Sequence, residues 1–455
     1  MASYSHTTFA QAKAALKLRL GDTNGTFWSD TELGLYLIDA LRTWNSMSWA
    51  FRDRGLLTTV SGQAFYDPRD TLLDGGGVKL LDRTLKDRDL VGEIQYHLLE
   101  PSNVWASSTT WAGTEMFMMA DVQGAVQRRL NQFLLETGQI VTESKLSVGA
   151  GTDKLSLPDT VMDLRRVAWV EMDGASESTY TNLWRVDDFQ LTALAIGINL
   201  TPGQPQVYSI LTLPEAHLRL SPPTNAPGKV HLLTIDSGTA LDVTSGVKLN
   251  VLDDFAHIIK WGALADLLSR DGPAKDPERA AYCQQRWDIG VQASLLLTTV
   301  LSAYVNDVAA DIVSLFDLDT AQPNWQSTTG APTGVALAGA NQIALSPVPD
   351  EIYSFTLDVV RNAIVPAADG DYLQIGREYL DSLLDYAQHL AAFKMGGTEF
   401  KASIPLYQQF ARAAIRFNER LRANAPMFDS LIGSMVREET QRPRVANDNA
   451  QALSA

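Results

Sequence analysis

The C-terminal half of this sequence states one pattern twice. Leu220-Ser221-Pro222 recurs as Leu345-Ser346-Pro347, 125 positions further on. At the same displacement Val230 and Leu232 meet Phe355 and Leu357, Ile258 and Ile259 meet Leu383 and Leu384, Trp261 meets Tyr386, and Tyr282 meets Tyr407. Pro202-Gly203-Gln204-Pro205 is echoed by Thr329-Gly330-Ala331-Pro332. A chain that repeats itself folds each copy into a similar unit, which constrains its architecture more tightly than composition does. In both copies strands come first and helices follow. The spacing predicts that residues 183–300 and 315–423 superpose as two modules of strands plus a helical pair, with Trp261 and Tyr386 at equivalent packed positions. Neither copy carries a catalytic motif, so the pattern points to a builder of assemblies.

The region before the repeat reads as helical. Ser29-Asp30-Thr31-Glu32 has the form of a capping box, and Trp28 and Leu33 are placed as a hydrophobic staple around it. Leu33, Leu37, Ala40, Leu41 and Trp44 then recur at helical spacing. An earlier helix, Phe9 to Leu20, stops at Gly21-Asp22, and a later one is expected from about Thr114 to Thr137 with Gly138 as its stop. From Lys154 the pattern turns to strands, with Asp173-Gly174 as a hairpin signal. Helices are expected at about Phe255–Ser269 and Pro277–Thr298, then at Arg377–Met395 and Ile404–Arg422. The fold class is therefore α+β, in four parts. Residues 1–150 form a mainly helical domain, 151–300 and 301–430 two β-plus-helical-pair modules, and 431–455 a polar tail without periodicity.

Charge narrows the function. Lys and Arg number 37 against 53 Asp and Glu, a formal net charge of −16. Binding to phosphates relies on basic residues that displace counterions, so this balance opposes nucleic-acid affinity. The N-terminal Met1-Ala-Ser-Tyr-Ser-His6 has neither a basic stretch nor an apolar run, so no secretory signal is expected. No apolar stretch is long enough to span a bilayer, so no membrane partner is expected either.

Chemistry finds little support. His6, His97, His217, His231, His257 and His389 are scattered singly, without His-Glu-x-x-His or His-x-x-x-His spacing. There is no Gly-x-Ser-x-Gly elbow. Asp187-Asp188 and Asp317-Leu-Asp319 are expected as solvated loop carboxylates, Asp22-Thr-Asn24-Gly25 as a turn, and Asp74-Gly75-Gly76-Gly77 as a flexible loop. The lone Cys283 lies in a helical stretch and is expected to be buried. No enzyme activity, cofactor, catalytic residue or metal site is expected.

Phe27-Trp28-Ser29-Asp30-Thr31-Glu32-Leu33, leading to Asp39-Ala40-Leu41-Arg42, resembles the opening helix of head-to-tail adaptor (connector) proteins of tailed bacteriophages. Arg128 to Gly138 and Leu157-Pro158…Arg165-Arg166-Val167 are similar to phage neck proteins. The module Gly203-x-Pro205…Leu218-x-Leu220-x-Pro222-Pro223, followed by strands and paired helices, resembles the same group and is present twice; typical adaptors are much shorter. The resemblance implies a virion structural protein in the neck, assembled in the host cytoplasm. It would form a ring of copies of itself, expected to be a dodecamer, joining the portal protein to tail and neck proteins. Viral DNA would pass through the channel without specific binding, which net acidity favours. In the tail, Arg437, Arg442 and Arg444 are the candidate partner-binding residues, pairing with acidic patches on a neighbouring ring. Another class remains: a tail- or fibre-associated module holding a receptor or carbohydrate, for which exposed aromatics on the β-units would speak.

Overall fold

A computed structural model describes residues 4–81, 83–99, 116–174, 176–191, 201–211, 216–296 and 300–423. The helices are α1 (Phe9–Leu20), α2 (Asp30–Ser48), α3 (Pro68–Thr71), α4 (Asp87–Leu98), α5 (Met119–Thr137), α6 (Ala256–Ser269), α7 (Pro277–Leu296), α8 (Leu315–Ala321), α9 (Leu380–Met395) and α10 (Gly397–Ala423). The strands are β1 (Arg52–Thr58), β2 (Phe65–Tyr66), β3 (Thr142–Val148), β4 (Lys154–Ser156), β5 (Val161–Asp173), β6 (Ser176–Asn182), β7 (Trp184–Arg185), β8 (Val207–Leu211), β9 (His217–Ser221), β10 (Gly228–Asp236), β11 (Val300–Val305), β12 (Val308–Ser314), β13 (Gly334–Gly339), β14 (Gln342–Ser346) and β15 (Ser354–Val360). The fold class is α+β.

Helix ends follow the local chemistry. Thr8 and Gln11 close a complete capping box at α1. At α2 only half of the expected box forms: the Ser29 hydroxyl accepts the Glu32 N–H at 3.2 Å. The Glu32 carboxylate instead accepts the Tyr36 hydroxyl at 2.6 Å and the Lys394 ammonium at 2.9 Å. A buried ammonium is a stronger partner than a backbone N–H. Helices α2 and α5 both end on a left-handed residue, Trp49 (φ 54°) and Gly138 (φ 55°). The Ser221–Pro222 and Ser346–Pro347 peptide bonds are both cis.

Three features differ from the sequence expectations. The stretch between the first two helical blocks holds a helix of its own, α4, buried along nearly its whole length. Helix α10 starts at Gly397, directly after the Gly396 break, and runs through Pro405. Proline removes one hydrogen bond there, yet Phe400 and Phe410 are both buried and anchor the helix on either side of it. Finally, β1, β2 and β3 lie among the helices of the first 150 residues, ahead of Lys154 where strands were expected to begin.

The early strands pair with the last ones. One seven-stranded sheet has the order β1-β15-β11-β12-β13-β14-β2, and two four-stranded sheets have the orders β3-β10-β5-β6 and β4-β9-β8-β7. Arg52 to Thr58 runs antiparallel to Val360 to Ser354 without a register shift. Strand β12 pairs with β11 through its first half and with β13, in parallel, through its second, so it carries the sheet around a corner. Strands β7 and β8 are likewise parallel.

The largest core runs continuously through the helices, from Leu16, Leu37 and Trp44 to Phe133, Trp261, Trp287 and Phe410. Between the two four-stranded sheets lies a second core built on Trp169, Leu218 and Leu232. A third, with Phe65, Leu233 and Trp325, joins them to the seven-stranded sheet.

At the centre of the helical core, Lys260 on α6 bonds to Asp39 on α2 and, at 3.1 Å, to Glu93 on α4. All three are buried. The two carboxylates hold the ammonium charged against the opposing effect of burial. Replacing Lys260 by Met leaves two buried carboxylates without their cation. It is expected to cost about 3–5 kcal/mol in urea unfolding, and apolar replacement of Asp39 and Glu93 as well should recover most of that loss.

Candidate assembly surfaces

Helix α7 packs its polar side chains into the groove between α9 and α10. The buried Arg286 donates to the Tyr386 hydroxyl at 2.7 Å. Its guanidinium lies 4.0 Å from the Tyr407 ring centroid and 5.3 Å from those of Trp261 and Tyr386. Trp261 and Tyr386, paired across the repeat in sequence, are thus both fully buried and border the same guanidinium. Beside them the Tyr282 hydroxyl bonds to His389 Nε2 at 2.6 Å, and His389 Nδ1 bonds to the Ser403 hydroxyl at 2.8 Å. His97 of α4 stacks on Tyr36 and meets Phe393 edge-on.

This interior is rich in ionisable groups, yet its chemistry is that of a clamp. Burial holds His257 down at about 4 and His389 at about 3, so both are neutral. Asp254, buried against Asn45 and the Ala363 N–H, is pushed up to about 7. Among the described residues no group of three or more His, Cys, Asp or Glu is arranged to hold a metal ion. Cys283 is buried, and burial raises its thiol out of the reactive range.

The loop carboxylates divide. Asp22 accepts the N–H groups of Thr26, Phe27 and Trp28, as a turn residue does. Asp317 caps α8 with Ser314. Asp319, expected in solvent, is buried instead: Arg166 of β5 grips it at 2.8 Å and Trp325 Nε1 donates to it at 2.9 Å. An arginine 153 positions away and the indole six positions on surround it, and local spacing does not show the arginine.

Several surfaces are open. The loop tips at one end of the seven-stranded sheet carry Val60, Val308 and Ile352, all exposed. Trp184 is 48% exposed beside the exposed Phe316, whereas Trp28, Trp44, Trp49, Trp169, Trp261, Trp287 and Trp325 are buried. Between α5 and α6 lies an open cleft of about 520 Å³ bordered by Asp121, Arg128, Asp266, Ser269 and Arg270. Among the described residues no helix is long and apolar enough to cross a membrane. Arg437, Arg442 and Arg444 lie outside the described residues.

Residues 292–430 match the model of a family described as SU10 adaptor protein. By this segment the chain is similar to that adaptor family. The match covers β11 to β15, α9 and α10, the second copy of the repeated pattern, and it bears out the adaptor resemblance read from the sequence. No curated protein matches the chain. Among solved structures, one chain from the "Neck of empty GTA particle computed with C6 symmetry" aligns at 16% identity and a TM-score of 0.16. The alignment covers 45% of this chain and 92% of that chain.

The buried histidines set a pH dependence. In the unfolded chain a histidine titrates near ~6.5. Below that pH the unfolded state takes up protons that folded His257 and His389 refuse, so their share of stability is present above ~6.5 and lost as pH falls toward 4. Asp254 acts in the opposite sense, its share declining as pH rises from ~4 to about 7. Thermal melts of His389→Gln between pH 7 and 4 are therefore expected to show a shallower acid loss than the parent, by up to about 1.4 kcal/mol per pH unit. Parallel curves would show that His389 does not withhold a proton.

Proposed function

We propose that this adaptor is a structural protein of the phage virion, a connector in the neck that joins the portal protein to the tail. The observation that carries the reading is the family match over residues 292–430. Copies of the chain assemble into a ring, and DNA passes through its channel. A net charge of −16 keeps that channel from retaining phosphates. Burial of seven tryptophans among the helices and sheets speaks against a broad carbohydrate platform, which needs exposed aromatic faces; the exposed Trp184–Phe316 pair is the feature that speaks for one. The ionisable interior stabilises the fold and performs no catalysis.

The protomer is built from two modules of one topology, the second inserted into the first. The inner module takes α4, α5, β3 to β10, α6 and α7; the outer takes α1, α2, β1, β2, β11 to β15, α9 and α10. Joining β3-β10-β5-β6 to β7-β8-β9-β4 gives an order that matches β1-β15-β11-β12-β13-β14-β2, with β12 standing for β6 and β7 together. Both parallel pairs, β7 with β8 and β12 with β13, then fall at the same place.

Side chains support the same correspondence. Trp44 packs on Tyr379 and Phe410, with centroids 5.0 and 5.8 Å away, while Phe133 packs on Phe255 and Trp287, 6.3 and 6.4 Å away. Glu32 pairs with Lys394 across α2 and α9, as Asp121 pairs with Arg270 across α5 and α6. Trp44 and Phe133, and Glu32 and Asp121, are each 89 positions apart, like the left-handed caps Trp49 and Gly138.

Electron microscopy of the purified protein mixed with portal-bearing heads tests the function; density for the chain at the portal vertex is expected, and its absence there would refute the reading. The tail arginines give a finer test. A chain truncated after Val436, which lacks Arg437, Arg442 and Arg444, is expected to melt at the parent temperature but bind heads more weakly. Undiminished binding would remove the arginines from the interface.

A further inference from the structure

The inner and outer modules meet head to tail, and among the described residues each leaves the counterpart of its used face free. Within the chain, α4 of the inner module sits against α2 and α9 of the outer: His97 touches Tyr36 and Phe393, and Glu93 shares Lys260 with Asp39. Matching α4 to α1 at 78 positions aligns the left-handed caps Leu99 and Gly21 and the buried Ile94 and Leu16. His97 then corresponds to Arg19. The α1 face that should bind a neighbour is open, with Ala14 exposed and Leu18 72% exposed.

The receiving groove has its own counterpart. Matching α2 to α5 and α9 to α6 turns Asp39 into Arg128 and Phe393 into Ser269, and these border the open cleft. In the outer module, where α4 and α7 cover the groove, Phe393 and Lys394 are buried; in the inner module Ser269 and Arg270 are exposed. Helix α7 behaves likewise. In these helices the register departs from the 125 positions of the strands, so Tyr282 no longer meets Tyr407. Aligning the buried Trp287 with Phe410, at 123 positions, matches Tyr282 and Arg286, which are used within the chain, to Pro405 and Gln409, which are exposed.

We propose that a second copy of this chain docks its α1, with the Pro405–Gln409 face of α10, into the α5–α6 cleft. The contact repeats between copies the one that α4 and α7 make inside each copy. This rests on the two-module reading. The interface is heterologous: one patch of each copy meets a different patch of the next, as ring closure requires. A ring built this way holds half as many chains as modules.

The pair that corresponds to His97 and Phe393 is Arg19 of one copy and Ser269 of the next. Full-length Arg19→Cys and Ser269→Cys variants, mixed and oxidised at high protein concentration, are expected to form a disulfide-linked dimer on a denaturing gel. Neither variant alone should do so, and the buried native Cys283 is common to every sample. The control mixes Arg19→Cys with Val308→Cys, on an exposed loop tip at the far end of the seven-stranded sheet. Cross-linking no stronger than this control overturns the proposal, as does efficient cross-linking of either variant with itself. An experimental structure of the chain separates this from failure of the module reading. If the Trp44–Tyr379–Phe410 and Phe133–Phe255–Trp287 sets superpose while no cross-link forms, the modules stand and the interface falls. If they do not superpose, the correspondence itself is wrong.

Discussion

The Lys260 ammonium holds this fold together, because it is the point where three helices from distant parts of the chain must agree. Asp39, Glu93 and Lys260 are buried on α2, α4 and α6. None of the three charges is tolerable there alone, so α2 cannot pack in its place before α6 arrives more than 200 residues later. The aromatic and guanidinium contacts around Arg286 add area and shape to the same junction. Packing alone permits several sliding registers between helices; a buried three-charge contact permits very few.

The same long-range dependence runs through the sheets. Strands β1 and β2 complete an edge on each side of a sheet whose other strands begin at Val300. Everything between must fold as a unit whose ends lie close together. The inner module's terminal helices, α4 and α7, both lie against the outer module's helices. Insertion is tolerated where the entry and exit of the inserted unit are near neighbours.

How far this was legible in the sequence follows from the insertion. Strands β8 to β10 and β13 to β15 lie in unbroken stretches, so Leu220-Ser221-Pro222 and Leu345-Ser346-Pro347 stand out at one displacement of 125. In the helices after them the proposed correspondence slips to 124 at Phe255 and Tyr379 and to 123 at Trp287 and Phe410, so Trp261 and Tyr386, 125 apart, are not equivalent in it. The other half of the repeat runs at 89 positions, from Trp49 to Gly138 and from Asp70-Thr71 to Asp159-Thr160. It is masked by the exchange of Trp for Gly at the cap and of Glu32 for Asp121 at the ion pair. Strand β1, Arg-Asp-Arg-Gly-Leu-Leu-Thr, lacks clean alternation and shows itself only once β15 is beside it. The open cleft needed coordinates, because its residues come from α5 and α6 and are ordinary surface charges in sequence. The tail arginines were legible as charge alone.

In the proposed assembly the two kinds of module contact differ in chemistry in a way that suits their different tasks. Inside the chain the contact uses Tyr36, His97 and Phe393, a desolvated aromatic surface. At the corresponding positions of the free faces stand Arg19 and Ser269, with the small, buried Ala125 in place of Tyr36, and around them the ion pairs Arg19–Asp381, Asp121–Arg270 and Arg128–Asp266. The intramolecular contact forms once, during folding, and buries its apolar groups. A contact between copies must wait for assembly, and an aromatic patch left open in the interval would invite aggregation. Linking two modules in one chain also makes every second contact of a ring intramolecular, with an effective concentration that no free subunit reaches. In the proposed ring it is the weaker, polar contact that decides when closure occurs.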